Sequence, residues 1–177
     1  KNINADAIIA VYPFTPQPVI SQAIISVSEV PVFVGVGGGM TNGDRSVRLA
    51  EFSEHQGASG VVVNAPISNE TIAKMKAVVD IPVVTTIVSG DMDIAGRLAA
   101  GADILNVSGA SRTPEIVTKI RAEFPTVPII ATGGPREEDI LRTIEAGANA
   151  ITYTPPTTGQ LFADIMISHR KNFSHQD

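Results

Sequence analysis

Short apolar runs recur along this chain, and between them the apolar positions fall three and four residues apart. The runs cover residues 7–12, 32–37, 61–64, 83–87, 104–108, 129–132 and 150–154. They do not alternate cleanly, which suits parallel strands buried on both faces. The intervening segments read as helices. Ile72, Met75 and Val79 share one face, as do Ile116, Ile120 and Phe124, and then Ile140, Leu141 and Ile144. Thr113-Pro114-Glu115 reads as an N-cap, a proline in the first turn and an acid beside it. Pro135 with Glu137, Glu138 and Asp139 does the same. Strict alternation of strand and helix predicts an α/β fold with a parallel sheet.

The pattern also repeats. Val30-Pro31-Val32-Phe33, Ile81-Pro82-Val83-Val84 and Val127-Pro128-Ile129-Ile130 are three versions of one strand start. Gly57-Ala58-Ser59-Gly60, Gly101-Ala102-Asp103-Ile104 and Gly147-Ala148-Asn149-Ala150 are three versions of another. They interleave at spacings of 44 to 51 residues. One unit is thus strand, helix, Gly-Ala, strand, helix, a quarter of an eightfold barrel. Asn4-Ala5-Asp6-Ala7 matches the second half of a fourth unit, whose first half would precede Lys1.

The expected fold is a (β/α)8 TIM-type barrel with seven recognisable strands and its first βα unit missing from the N-terminus. Residues 1–171 form one domain and 172–177 a polar tail. An open doubly wound sheet is the alternative. In a barrel short of one strand, the outer edges of the strands at 7–12 and 150–154 are unpaired. Further chain, another subunit of a homo-oligomer or closure of one edge on the other would cover them.

Ligands sit at the C-terminal strand ends in either architecture. Aligned by the repeat, Asn64, Ser108 and Thr154 are equivalent, as are Val62, Asn106 and Thr152, and Gly35, Thr86 and Thr132. The first two sets share a strand face that turns polar toward its end. The expected mouth is lined by amides and hydroxyls, with Asn64, Thr86, Asn106, Ser108, Thr132 and Thr154 as substrate-binding residues. Taken alone, each reads more simply as a satisfied core polar group, and it is their number on one face that points to a pocket.

Composition narrows the chemistry. At 44% hydrophobic and 18% charged the chain is globular, and its net charge of -5 gives no footprint for nucleic acid. There is no Cys, which excludes disulfides, zinc–thiolate sites and a Cys nucleophile. The three His are scattered, so no metal site is expected. His55 falls in step with Phe52 as a packed residue, and His169 and His175 lie in a polar C-terminal stretch without a catalytic part. No apolar run is long enough to span a membrane and no leader is visible, so the expectation is a soluble cytoplasmic protein.

The segment "IIATGGPREED", 129–139, places two glycines between a strand end and a helix start. Gly133 and Gly134 allow a tight turn and a close approach to backbone N–H groups, and a helix N-terminus favours an anion. By the repeat count the preceding strand is the seventh of eight, a frequent phosphate position in such barrels. A plain βα turn is the other reading.

The stretch "VPIIATGGPREEDILRTIEAGANAITYTP" resembles the last two βα units of the phosphate-binding TIM barrels, and "AAGADILNVSGA" is similar as well. That group includes keto-deoxy-phosphogluconate aldolase, N-acetylmannosamine-6-phosphate epimerase and thiamine phosphate synthase. The resemblance implies a phosphate site at Gly133 and Gly134. The group's second glycine-rich turn is replaced here by Thr154-Pro155-Pro156-Thr157-Thr158-Gly159. There Thr157 and Thr158 offer hydroxyls, while the prolines remove backbone donors.

The aldolase-like members use a strand-borne lysine for a Schiff base. Here Lys1, Lys74, Lys76, Lys119 and Lys171 all lie outside the strands, which argues against that chemistry. Ionisable residues cluster instead in loops: Asp44 and Arg45, Asp91 and Asp93, and Arg112, with Tyr12 ending the first run. Asp44 and Asp93 are the acid/base candidates, with a helix N-cap as the plainer reading of each. The glycines at 35–39 match neither a dinucleotide fingerprint nor a P-loop, leaving a flexible mouth loop, an anion cradle or a disordered surface loop.

Three functions follow. The first is an enzyme acting on a small phosphorylated, anionic metabolite, of lyase or isomerase type, with no cofactor. The second is an FMN-binding oxidoreductase, since FMN barrels resemble this one in the paired glycines. The third is a non-catalytic ligand-binding barrel.

Overall fold

A computed structural model of the chain describes residues 5–11, 15–134, 136–154 and 158–173. Seven strands follow one another in chain order: β1 (Ile8–Ala10), β2 (Val32–Gly37), β3 (Gly60–Val63), β4 (Val83–Ile87), β5 (Ile104–Val107), β6 (Ile129–Thr132) and β7 (Ala150–Thr152). All are parallel, and each pairs with the next, in the order β1-β2-β3-β4-β5-β6-β7.

That order decides the architecture. A doubly wound sheet reverses direction at a switch point, with helices on both faces. A sheet that only advances places its right-handed crossovers on one side, leaving the other face bare of helices. Such a sheet curls about its bare face, so the fold is a TIM-type barrel and not the open doubly wound alternative. Among the described residues no eighth strand joins β7 to β1.

Among the described residues the helices are α1 (Pro18–Val27), α2 (Asp44–His55), α3 (Asn69–Lys76), α4 (Ile94–Ala99), α5 (Thr113–Glu123) and α6 (Glu137–Glu145), on the outer side, and α7 (Thr158–Phe173), which follows β7 in the chain. α7 and α1 carry no signal in the sequence reading above. The expected polar tail begins inside α7, which also carries His169.

The core lies between strands and helices, in two clusters. Val32, Val34, Val36, Val61, Val63 and Val83 pack on Ala50, Ile72, Met75 and Val79. Ile87, Leu105, Val107, Ile129 and Ala131 pack on Ile94, Ile116, Val117 and Ile120. Fully burying one such side chain contributes roughly 1.5–3 kcal/mol.

Several local expectations change. Thr113 is not the N-cap of α5. A 3-10 turn, Ala110–Arg112, leads straight into the helix. Buried Thr113 satisfies that turn, its hydroxyl accepting from Gly109 N and donating to Ala110 O. Pro135 lies outside the described residues, and α6 starts at Glu137 after Arg136, with its three acids in the first turn. On α6 the inward residue is Thr143, while Leu141 and Ile144 face outward. The Thr143 hydroxyl donates to Asp139 O at 2.7 Å, which lets it be buried without a stranded polar group. His55 is exposed beside a half-exposed Phe52 rather than packed, its ring nitrogen 2.7 Å from Glu51 O.

Candidate functional site

The bare, concave face carries every second residue of each strand. In β4 these are Val84 and Thr86, in β5 Ile104 and Asn106 followed by Ser108, in β6 Ile130 and Thr132, and in β7 Thr152. The face is apolar at its floor and polar toward the C-terminal ends, as expected.

Strand register, not repeat position, decides which side chains meet. Thr86 pairs with Asn106, and Asn106 Nδ2 donates to Thr86 Oγ1 at 3.3 Å. Thr132 pairs with Thr152, whose hydroxyl lies 3.5 Å from Thr132 Oγ1 and from Ala131 O. Thr132 Oγ1 donates to Ser108 Oγ at 3.3 Å. A polar row therefore crosses β4 to β7 on two levels.

Of the six substrate-binding candidates, four join this row: Thr86, Asn106, Ser108 and Thr132. Thr152 completes it. Asn64 and Thr154 lie exposed, just past β3 and β7. Ile130 faces Asn106 across the β5–β6 pairing and offers it nothing polar. Asn106 Oδ1 is consequently buried without a hydrogen-bond partner.

The glycine loop after β2 is a built turn and not a loose surface loop. Gly37 takes φ +125°, and a side chain there would collide with Ser46 Oγ and the Thr41 carbonyl. Gly38 N donates to Thr41 O at 2.8 Å, and Asn64 N donates to Gly37 O at 2.9 Å. The turn thus leans on the end of β3. From the other side buried Arg97 donates to the Ala65 and Ile67 carbonyls and fixes the β3–α3 loop. Burial lowers the Arg97 pKa, with Asp93 opposing that shift. Arg97 escaped the sequence reading. Its only signal is spacing, since it shares a helix face with Ile94 in an otherwise apolar turn.

The pair Gly133–Gly134 divides its roles. A side chain at Gly133 would meet Ile151 Cγ2 at 2.6 Å and Ile140 Cγ1 at 2.8 Å, so helix–sheet packing requires this glycine. Its N–H donates to Thr152 O at 3.3 Å and is not aimed at a ligand. Gly134 is exposed at φ +79°, a turn that a side chain would strain. Behind it Arg136 holds Asp139 through two contacts of 3.0 Å. The Arg136 hydrogen bond is the main cause of the depressed Asp139 pKa. Thr157 lies outside the described residues, as do Tyr12, Pro155 and Pro156. Thr158 opens α7.

The acid/base candidates sit apart from the polar row. Asp44 is the first residue of α2, exposed, 3.6 Å from Lys74 Nζ. The Lys74 pKa is raised, first by its hydrogen bond to Glu70. Asp93 is the N-cap of α4: Oδ1 accepts from Gly96 N at 2.8 Å and Oδ2 from Asn69 Nδ2 at 3.3 Å. Lys76 and Lys119 belong to outer helices and pair with Asp103 and Asp91. A cavity of about 260 Å³ between the 90–95 loop and α5 is also on the helix side, away from the row. Among the described residues no group of His, Asp or Glu could hold a metal ion.

No protein-family model matches the chain, and no curated protein matches it. Solved structures do. A 2,3-dimethylmalate lyase of the PEP mutase/isocitrate lyase superfamily superposes with TM-score 0.72 at 14% identity, over 95% of this chain and 75% of that one. A dihydrodipicolinate synthase from Aquifex aeolicus gives 0.65 at 18%, over 85% and 59%. A phosphoenolpyruvate phosphomutase from Streptomyces platensis subsp. rosaceus gives 0.63 at 16%, over 89% and 65%. The chain spans less than two thirds of the latter two. At these identities the likeness shows the TIM-type fold.

Proposed function

We propose that the concave face is the binding face of an enzyme acting on a small phosphorylated metabolite, of lyase or isomerase type. The polar row from Thr86 to Thr152 carries this reading. Five hydrogen-bonding side chains converge on the sheet face opposite the packed helices of the described residues, at the strand ends where such barrels bind ligands. Asn106 Oδ1, buried on this face without a hydrogen-bond partner, supports the reading. The phosphoryl end is assigned to Gly134, the start of α6 and the hydroxyls of Thr157 and Thr158. The row orients the remainder, and Asp44 at the start of α2 or Asp93 at the cap of α4 moves the proton. A lyase, a synthase and a mutase on the same fold support this choice of reaction type. We place the protein in the cytoplasm.

One observation favours a second reading, a ligand-binding barrel without catalysis. Among the described residues, no ionisable side chain belongs to the row, so it offers no acid or base of its own. Thermal melting with ribose 5-phosphate, inorganic phosphate and FMN separates the possibilities, because a ligand of the native state raises the melting temperature. The expected result is a rise with ribose 5-phosphate and a smaller one with phosphate. A rise with FMN alone points to the oxidoreductase, and no rise with any of the three overturns the proposal.

A further inference from the structure

The row has a hydrogen-bonding polarity, and that polarity names the kind of ligand it accepts. On the β5 level, Asn106 gives one of its two amide hydrogens to Thr86 and keeps a buried carbonyl oxygen with no partner. That atom needs a donor. On the next level the Thr132 hydroxyl donates to Ser108. Ser108 thus accepts from the protein, and its own proton is left to give. Thr86 likewise accepts from Asn106 and has a proton to give.

Asn106 and Ser108 stand two residues apart on one strand, roughly 6.6 Å between Cα atoms. One asks for a donor and the other for an acceptor. A carboxylate or phosphate is acceptor-only and would repel the Asn106 oxygen. A hydroxyl is both donor and acceptor.

We infer that this part of the face binds a polyol segment: one ligand hydroxyl donates to Asn106 Oδ1 while a neighbouring oxygen accepts from Ser108. The inference rests on the proposed binding role of the face. It places the hydroxylated, uncharged part of the substrate on β4–β6 and leaves the charged end to the α6 side. The substrate class becomes a sugar or polyol phosphate rather than a small keto acid.

Calorimetric titration with ribitol, ribitol 5-phosphate and inorganic phosphate tests it, on the wild type and on Asn106→Leu and Ser108→Ala. Losing a buried hydrogen-bond partner costs on the order of tenfold in affinity. Both variants are expected to bind ribitol and ribitol 5-phosphate about tenfold more weakly, with inorganic phosphate unaffected. Melting curves check that the variants fold. Should Asn106→Leu fail to fold, Ser108→Ala carries the test. Unchanged ribitol affinity in a folded variant overturns the inference, as does wild-type protein that binds neither polyol. If ribitol binds through Asn106 but its phosphate adds nothing, the phosphorylated-metabolite reading fails while this one stands.

Discussion

At the scale of the residue, several polar groups are placed where their cost and their use can be separated. Thr85 faces the helices, is fully buried, and its hydroxyl has no partner. Thr85→Val removes that stranded group at constant shape. Urea unfolding is expected to show a gain of about 1 kcal/mol. Asp93 is a candidate base that also caps a helix. Asp93→Asn keeps a good cap and loses the charge, whereas Asp93→Ala loses both and costs about 1 kcal/mol of stability. Once a turnover assay exists, activity lost in the stable Asn variant identifies the carboxylate as chemical, and full activity there reduces it to a cap. Asp139 makes a pH statement. Its pKa is depressed, so its pairing with Arg136 contributes above the ordinary carboxylate range and is lost as pH falls through the lowered value. Arg136→Ala should return the Asp139 titration, followed by NMR, toward its ordinary position.

At the scale of the element, the repeat reappears as a repeated bond. Asp103 Oδ2, just before β5, accepts from the first N–H of β4 at Val83 and from Lys76 Nζ, both at 2.9 Å. Asn149 Oδ1, just before β7, accepts from the first N–H of β6 at Ile129 and from Arg121, again both at 2.9 Å. Arg121 also donates to the carbonyls of Pro125, Val127 and Gly147. A helix cation, an Asx side chain and a strand start thus form the same bracket one unit apart, at the end of the sheet opposite the polar row. Asn149→Ala strands the Ile129 N–H and breaks an Arg contact, so a loss of about 1–3 kcal/mol is expected in chemical denaturation.

The sequence showed the strands and the repeat clearly, because valine and isoleucine runs broken by Gly-Ala and Val-Pro are strong local signals. It did not show the brackets, since Lys76 meets Asp103 only through register. For the same reason the equivalence of Asn106 with Thr152 in the repeat could not name the side chain that Asn106 meets, Thr86. It misjudged Leu141 and Ile144, where period alone cannot choose between two overlapping faces and a self-bonded Thr143 took the inner one.

At the scale of the whole molecule, the described sheet has two outer edges. Exposed apolar side chains lie on the elements next to them in the chain: Val11, Val19 and Val27 beside β1 and on α1, Leu141 and Ile144 on α6, which packs on β7, and Phe162 and Ile165 on α7. Patches of this kind beside unpaired strand edges favour association. Light scattering of this chain is expected to show a mass that rises with concentration. A double substitution, Leu141→Glu with Ile144→Glu, should reduce that rise, and a strictly monomeric wild type would count against homo-oligomer formation.

The brackets at the foot of the sheet have one more consequence. Because neighbouring units are locked together far from the rim, the letters at the rim are not what keeps the units in step. Exchanging Thr86, Ser108 or Thr132 for other small side chains should leave the melting curve almost where it was. A cylinder fastened at its base can take a new guest by rewriting its lip, and selection experiments on this chain would do best to randomise there first.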